Sequence, residues 1–458
     1  MTHFYGSDHD HDDDAMSGPS PAEISIAPMI GWTDRNFRFL FRHISRESLL
    51  YSEMLMDSAL VFNTDMNRIE DHLGFDKTIE PPVALQLGGN NPDTLGRAVE
   101  IVESYGGYHE INLNCGCPSN KAKKVGFGAE LMLEHNLVRQ LVSTMKRRAS
   151  TCDITVKCRI GTNRNESWEH LLSFVRACRD GGIRKMVIHA RICMLSGLSP
   201  AQNRTIPPLR YGIVHKLVAA FPDMRFILNG GLQSYEDIDS HINSSDCCVG
   251  GLSDVFRTRS LNYLSRLVVD ANNYTPIYSS SRQAMPYEDI IQDSTTSCRF
   301  NDIDIPSSFE QPVVAWSPAV HGVMIGREAY NNPWRWADID RYYYNRPNPG
   351  YSRREVLDLY LDYAELCQQE GRYRSTAAYL CKPLHNFFHG CLTNRLYKQK
   401  LDHLLKASPR SLSDRFISDK CDKSMRELVS AAVEDTIPDS FMDEVMGPAG
   451  AMVASSRG

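Results

Sequence analysis

The stretch from Val83 to Asn114, VALQLGGNNPDTLGRAVEIVESYGGYHEINLN, holds one complete structural unit. Its opening VALQLG is almost continuously apolar, as a strand buried on both faces should be. Asn91-Pro92-Asp93 then supplies a helix start, and Leu95, Ala98, Val99 and Val102 follow at the spacing that lines one helical face. HEINLN at 109–114 is a second strand-like run. Strand, helix, strand in that order is the parallel β-α-β unit.

Outward from this unit the same alternation recurs. ISIAP (24–28), SLLYS (48–52), ITVKCRI (154–160), KMVIHA (185–190), RFILNG (225–230) and GVMIG (322–326) complete eight apolar, β-branched runs. Most of the segments between them suit helices. Eight strands alternating with helices predict a (β/α)8 TIM barrel over residues 22–337, rather than an open doubly wound sheet. The last interval is interrupted. From Cys247 to Pro318 the periodicity gives way to polar sequence, which predicts an insertion at about 250–318 with a short helix near 258–270.

Beyond the eighth strand the pattern is purely helical. Ser352 and Glu355 form a capping box, Val356, Leu359, Tyr360, Tyr363 and Leu366 share a face, and Gly371 ends the run. Further helices fit 375–391 and 393–406, so residues 338–410 are expected to form a C-terminal α-helical domain. Residues 1–21 read as a disordered acidic tail. Residues 411–458 are an extension of unassigned role with one weak amphipathic run.

The chain has 458 residues, 42% hydrophobic and 23% charged, ordinary values for a globular protein with a substantial core. No apolar run approaches the roughly 18 to 20 residues that span a bilayer, so no membrane association is expected. Thirteen cysteines without an export signal read as thiols in a reducing compartment, and a cytoplasmic location follows as the expectation. The net charge of −6 argues against nucleic acid only as an average. Residues 1–20 carry −5, 251–318 carry −3 and 411–458 carry −4, which leaves +6 on the remainder. Residues 371–410 hold eight Lys or Arg against Asp402 alone. A solvated helix face or an RNA contact would both fit that stretch.

In such a barrel the chemistry sits at the C-terminal ends of the strands. Those ends carry Gln86, Asn114 with Cys117, Lys157, His189, Asn229-Gly230-Gly231 and Gly326-Arg327. Small residues after strands seven and eight let backbone N–H groups approach phosphate oxygens, and Arg327 adds a bidentate partner. Together these ends point to a phosphate-bearing cofactor or substrate. The insertion is expected to have its hinges beside these phosphate loops, and to be accommodated away from the barrel mouth. Cys117, between Gly116 and Pro118, is either a packed thiol or one exposed to give a proton. No second Cys/His pair at finger spacing follows, so no metal is expected. The remaining cysteines read as packing, and the His-Asp tract near the start as a solvated tail.

The ordered motifs resemble the tRNA-dihydrouridine synthases, A-type. AlaProMet at 27–29 with Trp32-Thr33-Asp34-Arg35, LeuGlnLeuGlyGly at 85–89, and NLNCGCPSNKAKKVGFGAELM at 112–132 carry the likeness. It continues in Val156 to Gly161, HisAlaArg at 189–191, GlyLeuSerPro at 197–200, Asn203-Arg204, IleProProLeu at 206–209, AsnGlyGly at 229–231 and GlyArgGluAlaTyr at 326–330. The match covers roughly residues 22–245 and 319–405. It implies bound FMN, with Pro28, Met29 and Ile30 against the isoalloxazine and Gln86 on its pyrimidine edge. Lys157 and His189 would lie beside the ring, and Asn229, Gly230, Gly231, Gly326 and Arg327 would hold the phosphate. It implies NADPH as reductant, Cys117 as proton donor to uracil C5, and hydride delivery to C6.

It further implies that Asn114 orients the target uracil at position 20 or 20a of the D-loop. tRNA is the expected partner, met by Arg191, Arg204, Lys382, Arg395 and Lys398; no obligate protein partner is evident and a monomer is expected. Gly31 and Ala201 depart from the usual acidic and basic residues of the A-type. Two other readings compete. A flavin barrel oxidoreductase acting on a small pyrimidine would need no basic helical domain, and a non-catalytic tRNA-binding protein would not need Cys117, Lys157 and Arg327.

Overall fold

The computed structural model describes residues 21–63, 65–243, 318–372, 374–407 and 424–445. Eight strands close a parallel barrel in chain order: β1 (Glu23–Ile26), β2 (Leu49–Met56), β3 (Val83–Gly88), β4 (Glu110–Cys115), β5 (Asp153–Arg159), β6 (Lys185–His189), β7 (Arg225–Asn229) and β8 (Gly322–Ile325). Closure is made by β1 pairing with β8, Glu23 opposite Gly322 and Ile26 opposite Ile325. The expected barrel is therefore the observed one. The helices of its outer ring begin with α1 (Arg35–Arg42), α2 (Asp57–Val61), α3 (Met66–Leu73) and α4 (Pro92–Tyr105). They continue with α5 (Asn120–Val125), α6 (His135–Arg148), α7 (Trp168–Asp180), α8 (Tyr211–Ala220) and α9 (Tyr235–Ile242).

Inside the barrel Ala27, Leu49, Tyr51, Ala84, Val187, Ile227 and Met324 form one buried layer. Beneath it, at the strand starts, Lys185 Nζ lies 2.8 Å from Glu23 and 2.5 Å from Glu110. Tyr51 also donates its hydroxyl to Glu110, whose carboxylate is wholly buried. A charged group taken from water needs such partners, and Glu110 finds three in Lys185, Tyr51 and Thr155.

After β8 come α10 (Arg327–Asn331) and α11 (Ile339–Tyr344), then the helical region: α12 (Arg353–Gln369), α13 (Ala377–Leu380), α14 (Asn394–Ala407), α15 (Met425–Glu434) and α16 (Asp439–Met442). The Ser352–Glu355 capping box is present. The continuous helix expected over 375–391 is not. Pro383 divides it into α13 and a 3-10 turn at Pro383–Asn386, because a proline lacks the N–H that would continue the ladder. Buried Met425, Val429, Ala432 and Val433 of α15 complete one core with Val356, Tyr360 and Leu361 of α12 and with Phe39 and Leu40 of α1. Arg426 reaches back to Asp358, Asp362 and Glu365 at 3.1, 2.6 and 3.7 Å.

The expected insertion, its short helix and the acidic tail lie outside the described residues. The residues that border the insertion correct its placement. Val320 N donates to His241 O at 3.1 Å, and His215 Nδ1 lies 3.0 Å from Pro318 O. His321 N bonds Phe226 O at the start of β7. The hinges thus sit at the barrel floor. The phosphate loops lie at the opposite ends of β7 and β8, roughly 13 Å away at the usual rise per residue. The expectation that the hinges stand beside the phosphate loops therefore does not hold, and the body of the insertion lies outside the described residues.

Candidate active site

Cys117 lies just beyond β4, partly exposed at the mouth. Its position is fixed from two sides. Asn114 Oδ1 accepts from Gly116 N at 3.1 Å and from Cys117 N at 2.9 Å, and Ala129 N donates to Cys117 O at 3.1 Å. Asn114 Nδ2 in turn donates to Gln86 Oε1, and Gln86 Nε2 to Asn112 Oδ1, both at 2.8 Å. Asn112 continues to Thr155 at 2.7 Å and Thr155 to Glu110 at 2.5 Å. One hydrogen-bonded ladder therefore runs up the barrel interior, from the Lys185 ion cluster to the amide of Cys117. Every rung is buried, and each member has its partner.

The other strand ends supply cations. Lys157 Nζ donates to Asn229 Oδ1 at 2.9 Å, and Asn229 Nδ2 to Met324 O at 2.7 Å. Burial and then Arg159 push Lys157 down to about 7. Burial, with Arg159, Lys157, Arg191 and Arg327 around it, holds His189 well below its usual range, so its imidazole is neutral. A Cβ on Gly230 would stand 2.5 Å from His189 Cδ2, so only glycine lets that ring pack against the loop. Arg159 is buried and clamps three loop carbonyls, Gly116 at 3.2 Å, Ile192 at 3.0 Å and Asn203 at 2.9 Å. Arg191 donates to Pro207 O, while its buried Nε has no hydrogen-bond partner among the described residues. Arg327 Nη2 reaches Arg204 O at 3.5 Å.

Lys157, Arg159, Arg191, Arg204 and Arg327 thus converge, with no carboxylate paired to any of them among the described residues. Their like charges depress one another: Arg327 lowers both Arg191 and Arg204, after burial. The donor set fits a dianionic phosphate beside the Gly230-Gly231 turn and a second anionic group beside Lys157, as FMN would require. Pro28, Met29 and Ile30 form the turn after β1, where Thr33 Oγ1 accepts from Met29 N at 2.9 Å and Ile30 is 66% exposed. Gly326 leaves open space where a side chain would stand. Acids near these loops are paired with other bases, Glu130 with Arg164, Glu166 with Arg210 and Glu328 with Arg335, while Asp34 and Glu53 lie after β1 and on β2. Glu53 accepts from Gly31 N and pairs with Arg374, and these groups line a cleft of about 260 Å³ with Asp34, Met54 and His72.

The expected RNA-contacting residues are not equally available. Lys382 lies over the Tyr379 ring at 4.3 Å, and its carbonyl accepts from Tyr330 at 3.1 Å, which seats it beside α10. Arg395 is exposed in the first turn of α14. Lys398 is half-buried and donates to Asn386 at 2.8 Å. Around them the basic stretch is partly neutralised from within, Arg372 by Glu370 and Lys400 by Asp435 at 2.5 Å. Sequence reading passed over Arg159 and Asn112. The signal was there for both: Arg159 falls two residues after Lys157, and Asn112 two before Asn114, each on the same strand face.

Comparison with known proteins follows the same lines. The family model for dihydrouridine synthase matches residues 25–251. The chain is 34% identical over 340 residues to the tRNA-dihydrouridine(20/20a) synthase of Pseudomonas putida, spanning 74% of this chain and 77% of that one. It is 32% identical over 386 residues to the enzyme of that name from Synechocystis sp., spanning 84% and 90%. Against that of Pasteurella multocida the identity is 39% over 247 residues, spanning 54% and 73%.

Proposed function

The chain belongs to the dihydrouridine synthase family, and from that premise we propose that it reduces uridine to 5,6-dihydrouridine at position 20 or 20a of the tRNA D-loop. FMN is the bound cofactor and NADPH the reductant. The observation that carries the reading is a partly exposed Cys117, held by Asn114, opposite a cluster of cations that lacks its anion.

Bound FMN supplies the hydride for uracil C6. The protein supplies the rest. Cys117 Sγ holds the proton that goes to C5, and Asn114 and Ala129 keep that sulfur on a fixed loop. Once the proton has left, the thiolate stands in the field of Arg159 and Arg204. Partial exposure of Cys117 lets solvent return the proton. Asn114 has one amide hydrogen left for the uracil, since the other is given to Gln86. Lys157 and His189 would stand beside the cofactor ring, where an anion would hold Lys157 in its charged form. Pro28, Met29, Ile30 and Gln86 would border the ring, and Asn229, Gly230, Gly231, Gly326 and Arg327 would hold the phosphate.

A stacked base cannot reach the barrel mouth, so the target nucleotide is turned out into it. The D-loop, displayed at the tRNA elbow, suits this. Arg191 and Arg204 meet the nucleotide's surroundings, and Lys382, Arg395 and Lys398 meet the phosphate backbone. No described helix is long and apolar enough to cross a membrane, and a monomer acting in the cytoplasm is the assignment that accompanies this substrate.

Cys117→Ala tests the role of the thiol. The variant should keep its yellow flavin while dihydrouridine formation in unmodified tRNA, read by mass spectrometry, falls by about 10²–10⁴. Wild-type rates in the variant would remove Cys117 as the acid. NADPH oxidation that responds to free uracil instead of tRNA would favour a small-pyrimidine enzyme.

A further inference from the structure

We propose that the short helix α5 is a phosphate-contacting ridge that seats the RNA backbone beside Cys117; this rests on the tRNA reading above and assigns it three new residues. Lys121, Lys123 and Lys124 are all exposed on α5. The nearest acid along the chain, Glu130, is already engaged by Arg164 at 2.9 Å. Lys123 Nζ reaches only a carbonyl, Leu195 O, at 3.4 Å. No described carboxylate is paired with any of the three.

Helix stability accounts for two of the three and not for Lys121. Lys123 and Lys124 lie in the last turn, where the helix dipole favours cations. Lys121 lies in the first turn, where the dipole opposes one. The ridge is also fixed relative to the thiol. Ser119, two residues after Cys117, caps the helix by accepting from Ala122 N at 3.1 Å, and buried Ala122 packs beside Gly128. A charge placed on α5 is therefore placed at a set distance from the reacting sulfur.

Hydrogen bonds join this ridge to the other cations in one arc around the mouth. Lys123 touches Leu195 in the loop after β6, and that loop carries Arg204. Arg204 O meets Arg327, and Tyr330, on the same helix as Arg327, bonds the carbonyl of Lys382. Lys400 is neutralised by Asp435 and Lys398 is held by Asn386, whereas the three α5 lysines carry their charge beside the site with no carboxylate paired to them among the described residues.

Phosphate could come from the RNA backbone or from NADPH, and the test separates them. Holoenzyme carrying K121A, K123A and K124A together is titrated with unmodified tRNA at several salt concentrations. The dissociation constant should rise about tenfold or more near 0.1 M salt, and the slope of log affinity against log salt should shrink by about 2 to 3. Flavin content and Tm should match wild type, and replacing all three by arginine should restore binding. An unchanged affinity and slope would overturn the proposal, as would normal tRNA binding with a raised KM for NADPH. Absence of salt-dependent tRNA binding in wild type would sink the underlying reading, and that arm is read without any variant.

Discussion

Lys157 is a cation with no anion of its own, and that makes its titration informative. Its folded pKa is about 7, against an ordinary value near 10.4 in the unfolded chain. Between those two pH values the unfolded state binds more protons, so flavin-free protein gains stability as pH rises from about 7 and stays level below it. By pH 9 the gain should be roughly 1 to 2 kcal/mol, allowing for the solvent at the side-chain tip. Lys157→Met should abolish that rise, and urea midpoints of the two flavin-free proteins at pH 7 and pH 9 measure it. Added FMN should flatten the wild-type curve, because an anion beside Lys157 raises its pKa. A wild-type slope equal to that of the variant would place the charge elsewhere. At this scale the sequence marked Lys157 and Cys117 by their places at strand ends. It did not reveal that Asn114 spends its oxygen on the Cys117 loop, because that bond depends on how the chain turns after β4.

The element that matters most is the loop from Cys115 to the 3-10 turn at Gly128–Leu133. Gly128 has φ +68°, and a Cβ there would stand 2.7 Å from the carbonyl oxygen of Cys117. Alanine at this position would pay the left-handed strain of about 1–2 kcal/mol and push directly on the residue that bears the acid. Gly128→Ala should therefore lower the single-turnover rate of dihydrouridine formation by about 10- to 100-fold. Flavin content should stay at the wild-type level, since the phosphate loops are on other strands. A lost flavin with an unchanged chemical step would contradict this division of labour. Strand periodicity exposed all eight strands, because burial on both faces leaves a continuous apolar run. Helix periodicity failed once, over 375–391, where Pro383 outweighs the apolar spacing. It was also too weak to place α15, whose helical face is decided by the α12 surface it covers.

Across the whole molecule the opposing charges separate by region, and part of the acidic surplus is spent internally. Asp439 and Asp443 pair with Arg354, and Asp435 with Lys400, so α15 and α16 fasten the helical region. The residues that border the insertion lie elsewhere. Its borders meet at the barrel floor, where Val320 is bonded to His241 and the adjacent His215 and Pro318 are joined as well. In such barrels the floor serves stability and the opposite face serves chemistry. Replacing residues 245–316 by a linker of about six glycines and serines should thus preserve flavin binding, tRNA affinity and turnover. Shortening the loop that much lowers its closure entropy by about 2 kcal/mol, so Tm should equal or exceed that of the full chain. Calorimetry and flavin absorbance on the shortened protein decide the matter. A lower Tm would mean that the replaced residues add to the barrel core, and lost tRNA affinity with intact flavin would mean that they reach the substrate from below.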